Sequence, residues 1–115
     1  MKLIQDYLAV PAEPLAGDDL EGTFKRLLIG PADGSPLMAL RIFTVQPGGH
    51  TPFHGHPWEH LNYVIRGVGV IETPEGRRPI GPGTVALVEP GELHSFRNTG
   101  REPLEFVCLV PNAHA

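Results

Sequence analysis

Three of the chain's six histidines fall within seven residues, His54-Gly55-His56-Pro57-Trp58-Glu59-His60. Neutral imidazole is a ligand for Mn, Fe, Ni, Cu and Zn, so a cluster this dense suggests a transition-metal site. In an extended segment, residues two apart share a face, with Cα atoms about 6.5–7 Å apart. A strand is predicted over Phe53–His56, which points His54 and His56 the same way. Pro57 cannot donate to a ladder, so the chain is expected to turn over Pro57–Glu59 and to start the next strand at His60, beside the first pair. A fourth ligand has to come from far along the chain. His94 fits, because Glu89-Pro90-Gly91-Glu92-Leu93 is a turn that delivers it into a strand. Glu59 is one residue out of register with His60, and strand alternation turns it away. His50, near the cluster, and His114, in the tail, are given no metal role, and Trp58 is assigned to packing at the turn.

The elements that position these residues must be short. Fourteen glycines and thirteen prolines fall in clusters (PADGSP, QPGG, TPEG, GPG, EPGE, NTGREP) separated by apolar segments, which leaves no room for a long helix. Strands are predicted at 24–29, 38–45, 53–56, 60–66, 68–73, 84–88, 94–97 and 104–110, the spacing of an all-β antiparallel sandwich or barrel. Residues 1–22 lack periodicity and read as an extended N-terminal arm before a single domain, residues 23–115.

Composition narrows the partners. The 115 residues carry a net charge of −4, and the nine Lys and Arg are scattered, which argues against nucleic acid or an anionic membrane surface. No apolar run approaches the roughly 18–20 residues that cross a bilayer. The start, MKLIQDYLAVP, is broken by Gln5 and Asp6 and does not read as a signal peptide. Cys108 stands alone, without a partner for an internal disulfide, and a cytoplasmic location is expected.

At the histidines the sequence resembles the cupin family. Its first motif, G(X)5HXH(X)3–4E(X)6G, is matched by Gly48, His54, His56, His60 and Gly67. The second, G(X)5PXG(X)2H(X)3N, is matched by Gly83, Glu89-Pro90-Gly91, His94 and Asn98. Glu89 stands at the motif's first proline, and His60 stands where the family usually has a metal-binding glutamate. HPWEH, FRNTG and FVCLVP are similar to small single-domain bacterial cupins with a four-histidine site, and the likeness extends upstream through LLIGPADGSP and LRIFTVQPGG. The resemblance implies a jelly-roll β-barrel holding one divalent transition metal, manganese first, with Fe, Ni, Zn or Cu as alternatives. It implies an oxygenase-type metalloenzyme for a small oxygen-bearing substrate. The rivals are metal-assisted isomerase or lyase chemistry on a small sugar acid, and a non-catalytic module that binds a metal or small molecule.

Around that site, Asn62 shares the parity of His60 and Val64, which makes it either a ligand-facing group or a satisfied core amide. If Glu105 faces solvent, Phe106 and Cys108 line the cavity, Cys108 as inert packing or as an oxidisable wall. Arg41, in MALRIFTV, is either a charged pocket residue or an edge charge. Leu61, Tyr63 and Ile65 are left on the outer face, and with the arm they predict a homodimer. Protons should compete with the metal between about pH 7 and pH 5, the range set by free imidazole.

Overall fold

The computed structural model describes residues 1–115. Nine strands run in chain order: β1 (Glu13–Pro14), β2 (Glu21–Ile29), β3 (Met38–His50), β4 (His60–Arg66), β5 (Gly69–Thr73), β6 (Gly76–Ile80), β7 (Val85–Val88), β8 (Ser95–Asn98) and β9 (Leu104–Pro111). Three single-turn 3₁₀ helices complete the secondary structure, and there is no α-helix. All the pairings are antiparallel, in the order β6-β5-β8-β3-β9-β4-β7, with β2 on the other side of β3 and β1 on β2. The sheet curls into the jelly-roll barrel of an all-β protein.

Local chemistry explains most of these elements, and three departures are instructive. The segment Phe53–His56 forms no strand; it is a loop touching the sheet only through a bridge between His54 and His94. Strand β3 does not stop at the Gln46-Pro47-Gly48-Gly49 turn signal but runs on to His50, where it pairs with Arg97 of β8. Strand β6, Gly76-Arg77-Arg78-Pro79-Ile80, carries no strand pattern; it lies at the sheet edge, where a proline and charges are tolerated.

The main core gathers Val45, Val64, Ile80, Phe96, Leu104 and Phe106, and a smaller cluster of Ala39, Cys108 and Val110 lies alongside. Fully burying one such side chain contributes roughly 1.5–3 kcal/mol. Gly67 makes the first cluster possible. Its φ is +80°, and a Cβ there would meet the Pro103 carbonyl oxygen at 2.3 Å, so only glycine fits where β9 begins.

Glu105 is not at the surface, as strand alternation had suggested, but 2% exposed. Its side of the sheet is covered by the arm. Tyr7 Oη donates to Glu105 Oε1 at 2.7 Å, and Thr44 Oγ1 donates to Oε2 at 2.6 Å. Arg26 and Arg66 lie at 3.5 and 3.8 Å from the two oxygens. Arg26 Nε also donates to the Val10 carbonyl at 2.8 Å, which ties the arm to its own barrel.

Candidate metal centre

Backbone pairing brings the two histidine segments together. His54 N–H donates to His94 O at 3.1 Å, His94 N–H donates to His54 O at 2.9 Å, and Gly91 N–H donates to His56 O at 2.7 Å. Gly55 permits this approach, since a Cβ there would stand 2.9 Å from the Gly91 carbonyl oxygen. The loop and the turn, rather than one strand face, deliver His54, His56 and His94. Their ligating atoms lie within 4.8 Å of one another. His60, at the start of β4, lies beside this group, with Nε2 3.1 Å from His94 Nε2.

The ring orientations follow from the other nitrogens. His94 Nδ1 donates to the Glu92 carbonyl at 2.9 Å, and His56 Nδ1 donates to the Trp58 carbonyl at 3.0 Å. His60 Nδ1 donates to Asn62 Oδ1 at 2.6 Å; the amide is oriented by its Nδ2, which donates to the Val107 carbonyl at 3.2 Å. These partners fix the ring orientations through Nδ1, the arrangement that holds ligand histidines around metals. Burial holds His60 down at about 4, and it also lowers His94, so neither ring is charged at neutral pH.

A divalent metal fits this donor set. Two buried lone pairs facing each other at 3.1 Å repel unless something positive satisfies both. Two imidazoles bound at about 2.1 Å and at right angles to each other place their nitrogens about 3.0 Å apart. Zn, Mn, Fe, Ni and Cu all accept such nitrogens, and the geometry alone selects none of them.

The histidines open into a cavity of about 280 Å³. Arg41, Phe106 and Cys108 line it. Asn62 does not; its amide is spent on His60 and Val107. Arg41 is no edge charge, because β3 is paired on both sides. Glu59 is exposed outside the site, while His50 lies at the end of β3 with its Nδ1 on the Thr51 carbonyl. Trp58 does more than pack a turn. Its ring stacks flat on His56 at 4.3 Å, and His114 stacks on its other side at 3.5 Å.

Among the wall residues that sequence reasoning missed are Lys25, Phe43 and, from the arm, Leu15 and Leu20. Lys25 and Phe43 could have been found from the alternation of β2 and β3, since they face each other in register. The arm's contribution had no periodic signal to reveal it.

Comparison with known proteins agrees with this geometry. The cupin domain family model matches residues 41–110, more than half of the chain. A glucose-6-phosphate isomerase of Thermococcus kodakarensis is 42% identical over 69 residues, covering 55% of this chain and 35% of that protein. An oxalate-binding protein of Thermotoga maritima is 35% identical over 65 residues, covering 56% and 54%. The chain thus spans between a third and about half of the length of these curated relatives. The polyketide cyclase RemF from Streptomyces resistomycificus superposes with a TM-score of 0.89 at 31% identity, covering 96% of this chain and 80% of that one. No helix is long and apolar enough to cross a membrane.

Proposed function

We propose, on the premise that this chain belongs to the cupin family, that it is a metal-dependent enzyme for a small oxygen-bearing molecule, with His54, His56, His60 and His94 holding one divalent transition metal, manganese first. The observation that carries this is the convergence of the histidine rings: the ligating atoms of His54, His56 and His94 lie within 4.8 Å of one another, and His60 Nε2 lies 3.1 Å from His94 Nε2. A bound divalent ion supplies a Lewis acid for a substrate oxygen. The chain's own residues prepare that task. Asn62 and the Glu92 and Trp58 carbonyls fix the rings, while Phe43, Phe96 and Phe106 keep the wall apolar and water out.

Charge narrows the chemistries. Four neutral ligands leave the ion its full +2, and no carboxylate lines the cavity to reduce it. Such a site favours anionic oxygen ligands and the lower oxidation state. It supports chemistry in which the ion remains divalent, such as isomerisation, cyclisation or lyase reactions, and the names of two relatives, an isomerase and a cyclase, are of that kind. Oxygenase chemistry on an electron-rich anion is the second reading, favoured by the same stabilisation of the reduced ion.

The test is metal analysis of the purified protein, then reconstitution with Zn or Mn and assay of small hydroxy and oxo compounds with and without oxygen. Turnover with Zn and no oxygen uptake supports the first reading. Oxygen uptake restricted to Mn or Fe supports the second, and ligand binding without turnover supports a binding module. A protein that takes up no divalent metal sinks both enzymatic readings. His60→Glu checks the ligand set: it should keep a metal, lower its reduction potential and weaken azide binding.

The proposal extends to assembly. Leu61, Tyr63, Val85 and Leu87 are 45%, 48%, 70% and 52% exposed on adjoining strands β4 and β7, and this apolar face supports a homodimer. A monomeric mass by light scattering at micromolar concentration would reject it.

A further inference from the structure

Arg41 holds a charge that the protein itself does not answer. It stands on β3 in register with Cys108 of β9, which is in turn in register with Asn62 of β4, the residue that holds His60. One row across three strands therefore runs from the guanidinium to a ring of the histidine cluster, and both line the same cavity. The guanidinium lies over the Phe43 ring, 4.9 Å from its centroid. That contact uses the face of the group and leaves its in-plane N–H donors free. One of them, on Nη2, meets Cys108 Sγ at 2.9 Å, a weak acceptor that burial keeps protonated. The Nε donor is buried with no partner at all.

This is unusual on two counts. Arg41 as a whole is partly exposed, yet its Nε is buried, and buried donors are almost always paired. Arg26, Arg66, Arg77 and Arg97 each lie within 4.0 Å of a carboxylate, and Arg41 lies near none. The only other charged side chain on the wall besides the histidines is Lys25, also a cation. Beside Arg41 the lining is aromatic: Phe43 stacks on Phe106 at 5.6 Å, and Phe106 stacks on Phe96 at 4.1 Å.

We infer that Arg41 is a substrate-binding residue, and that the ligand is a planar, conjugated carboxylate. Its carboxylate pairs with the guanidinium's N–H donors in place of the weak Cys108 thiol, since the planar fork matches two carboxylate oxygens. Its flat body lies along the phenylalanine wall, and its remaining oxygen function faces the histidines. That last anchor rests on the proposed function; the carboxylate anchor does not.

The test uses benzoate and its neutral isostere benzamide, titrated calorimetrically into metal-free protein. Wild type should bind benzoate at least about tenfold more tightly than benzamide, the scale of a charge-assisted hydrogen bond. Arg41→Met should abolish that preference, while a circular-dichroism spectrum and melting temperature like those of wild type show that the fold is intact. A wild type without the preference, or an Arg41→Met protein that keeps it, overturns the inference. Should Arg41→Met fail to fold, Arg41→Lys, which keeps the charge and loses the fork, should lower the preference at least about threefold; an unchanged preference overturns the inference. Zinc titration of the same samples reads the metal site separately. Loss of zinc binding in wild type would sink the metal-dependent reading and leave the benzoate result standing.

Discussion

Arg26 on β2 and Arg41 on β3 sit in adjacent register rows of one strand pair, opposite Ile42 and Leu27, and so point to opposite sides of the sheet. Arg26 meets a carboxylate, a threonine hydroxyl and a backbone carbonyl, from Glu105, Thr44 and Val10. Arg41 meets an aromatic face and a thiol. The first region is closed: its buried carboxylate accepts from two hydroxyls and is flanked by two guanidiniums. The second is open, with inward histidine lone pairs and an idle guanidinium edge around a cavity. A chain that can surround Glu105 this fully can evidently pair a buried charge where the fold needs one. The missing partners on the other side mark the surface kept for something from outside.

The largest test of this contrast is stability. Glu105→Ala leaves Arg26 and two hydroxyls without their acceptor and should cost about 3–5 kcal/mol in urea unfolding. Arg41→Met removes a cation with no counter-charge and should stay within about 1 kcal/mol of wild type. If the two variants exchanged ranks, the contrast would collapse.

Acid comes next. In metal-free protein the folded His60 titrates near 4, against about 6.5 when unfolded. Between those values the unfolded chain binds the extra proton, so stability is complete above about pH 6.5 and falls as the pH drops toward 4. His60 alone contributes about 3 kcal/mol over that window, and His94 acts with the same sign. His60→Gln should flatten much of the slope; a slope left unchanged would mean that His60 is not buried as described. Burial of His60 and His94 also lowers the pH at which protons compete with a metal at these two rings, relative to free imidazole.

A smaller effect belongs to the group behind the ligand. Asn62→Ala frees the His60 ring, and metal affinity measured by calorimetry should drop about 10–100-fold. Unchanged affinity would put Asn62 among the merely structural amides. The smallest effect is expected from Tyr7→Phe, which removes one hydrogen bond to Glu105 and should cost about 1 kcal/mol, with no change in metal binding.

How much of this was legible depended on distance along the chain. The strand carrying His60 was readable to the residue, because Pro57 ends one segment and the alternation of His60, Asn62 and Val64 begins the next. The loop at His54 was misread as a strand, since two histidines two apart look alternating whether or not a neighbour pairs with them. Glu105 was misread for a related reason. Alternation correctly separates it from Phe106 and Cys108, but only the arm, ninety-eight residues away at Tyr7, turns that side into an interior.

The sequence by itself determined the class of the fold and the identity of the clustered histidines. Turn residues, strand alternation and ligand spacing act over a few positions, and their chemistry is written locally. The tertiary structure alone decided which ring nitrogens face inward, that Asn62 serves His60 rather than the cavity, and that Glu105 is surrounded while Arg41 is not. Those outcomes depend on pairs such as Arg41 with Cys108, sixty-seven residues apart. Only the closure of the sheet brings such groups within reach of each other, or leaves them without a partner.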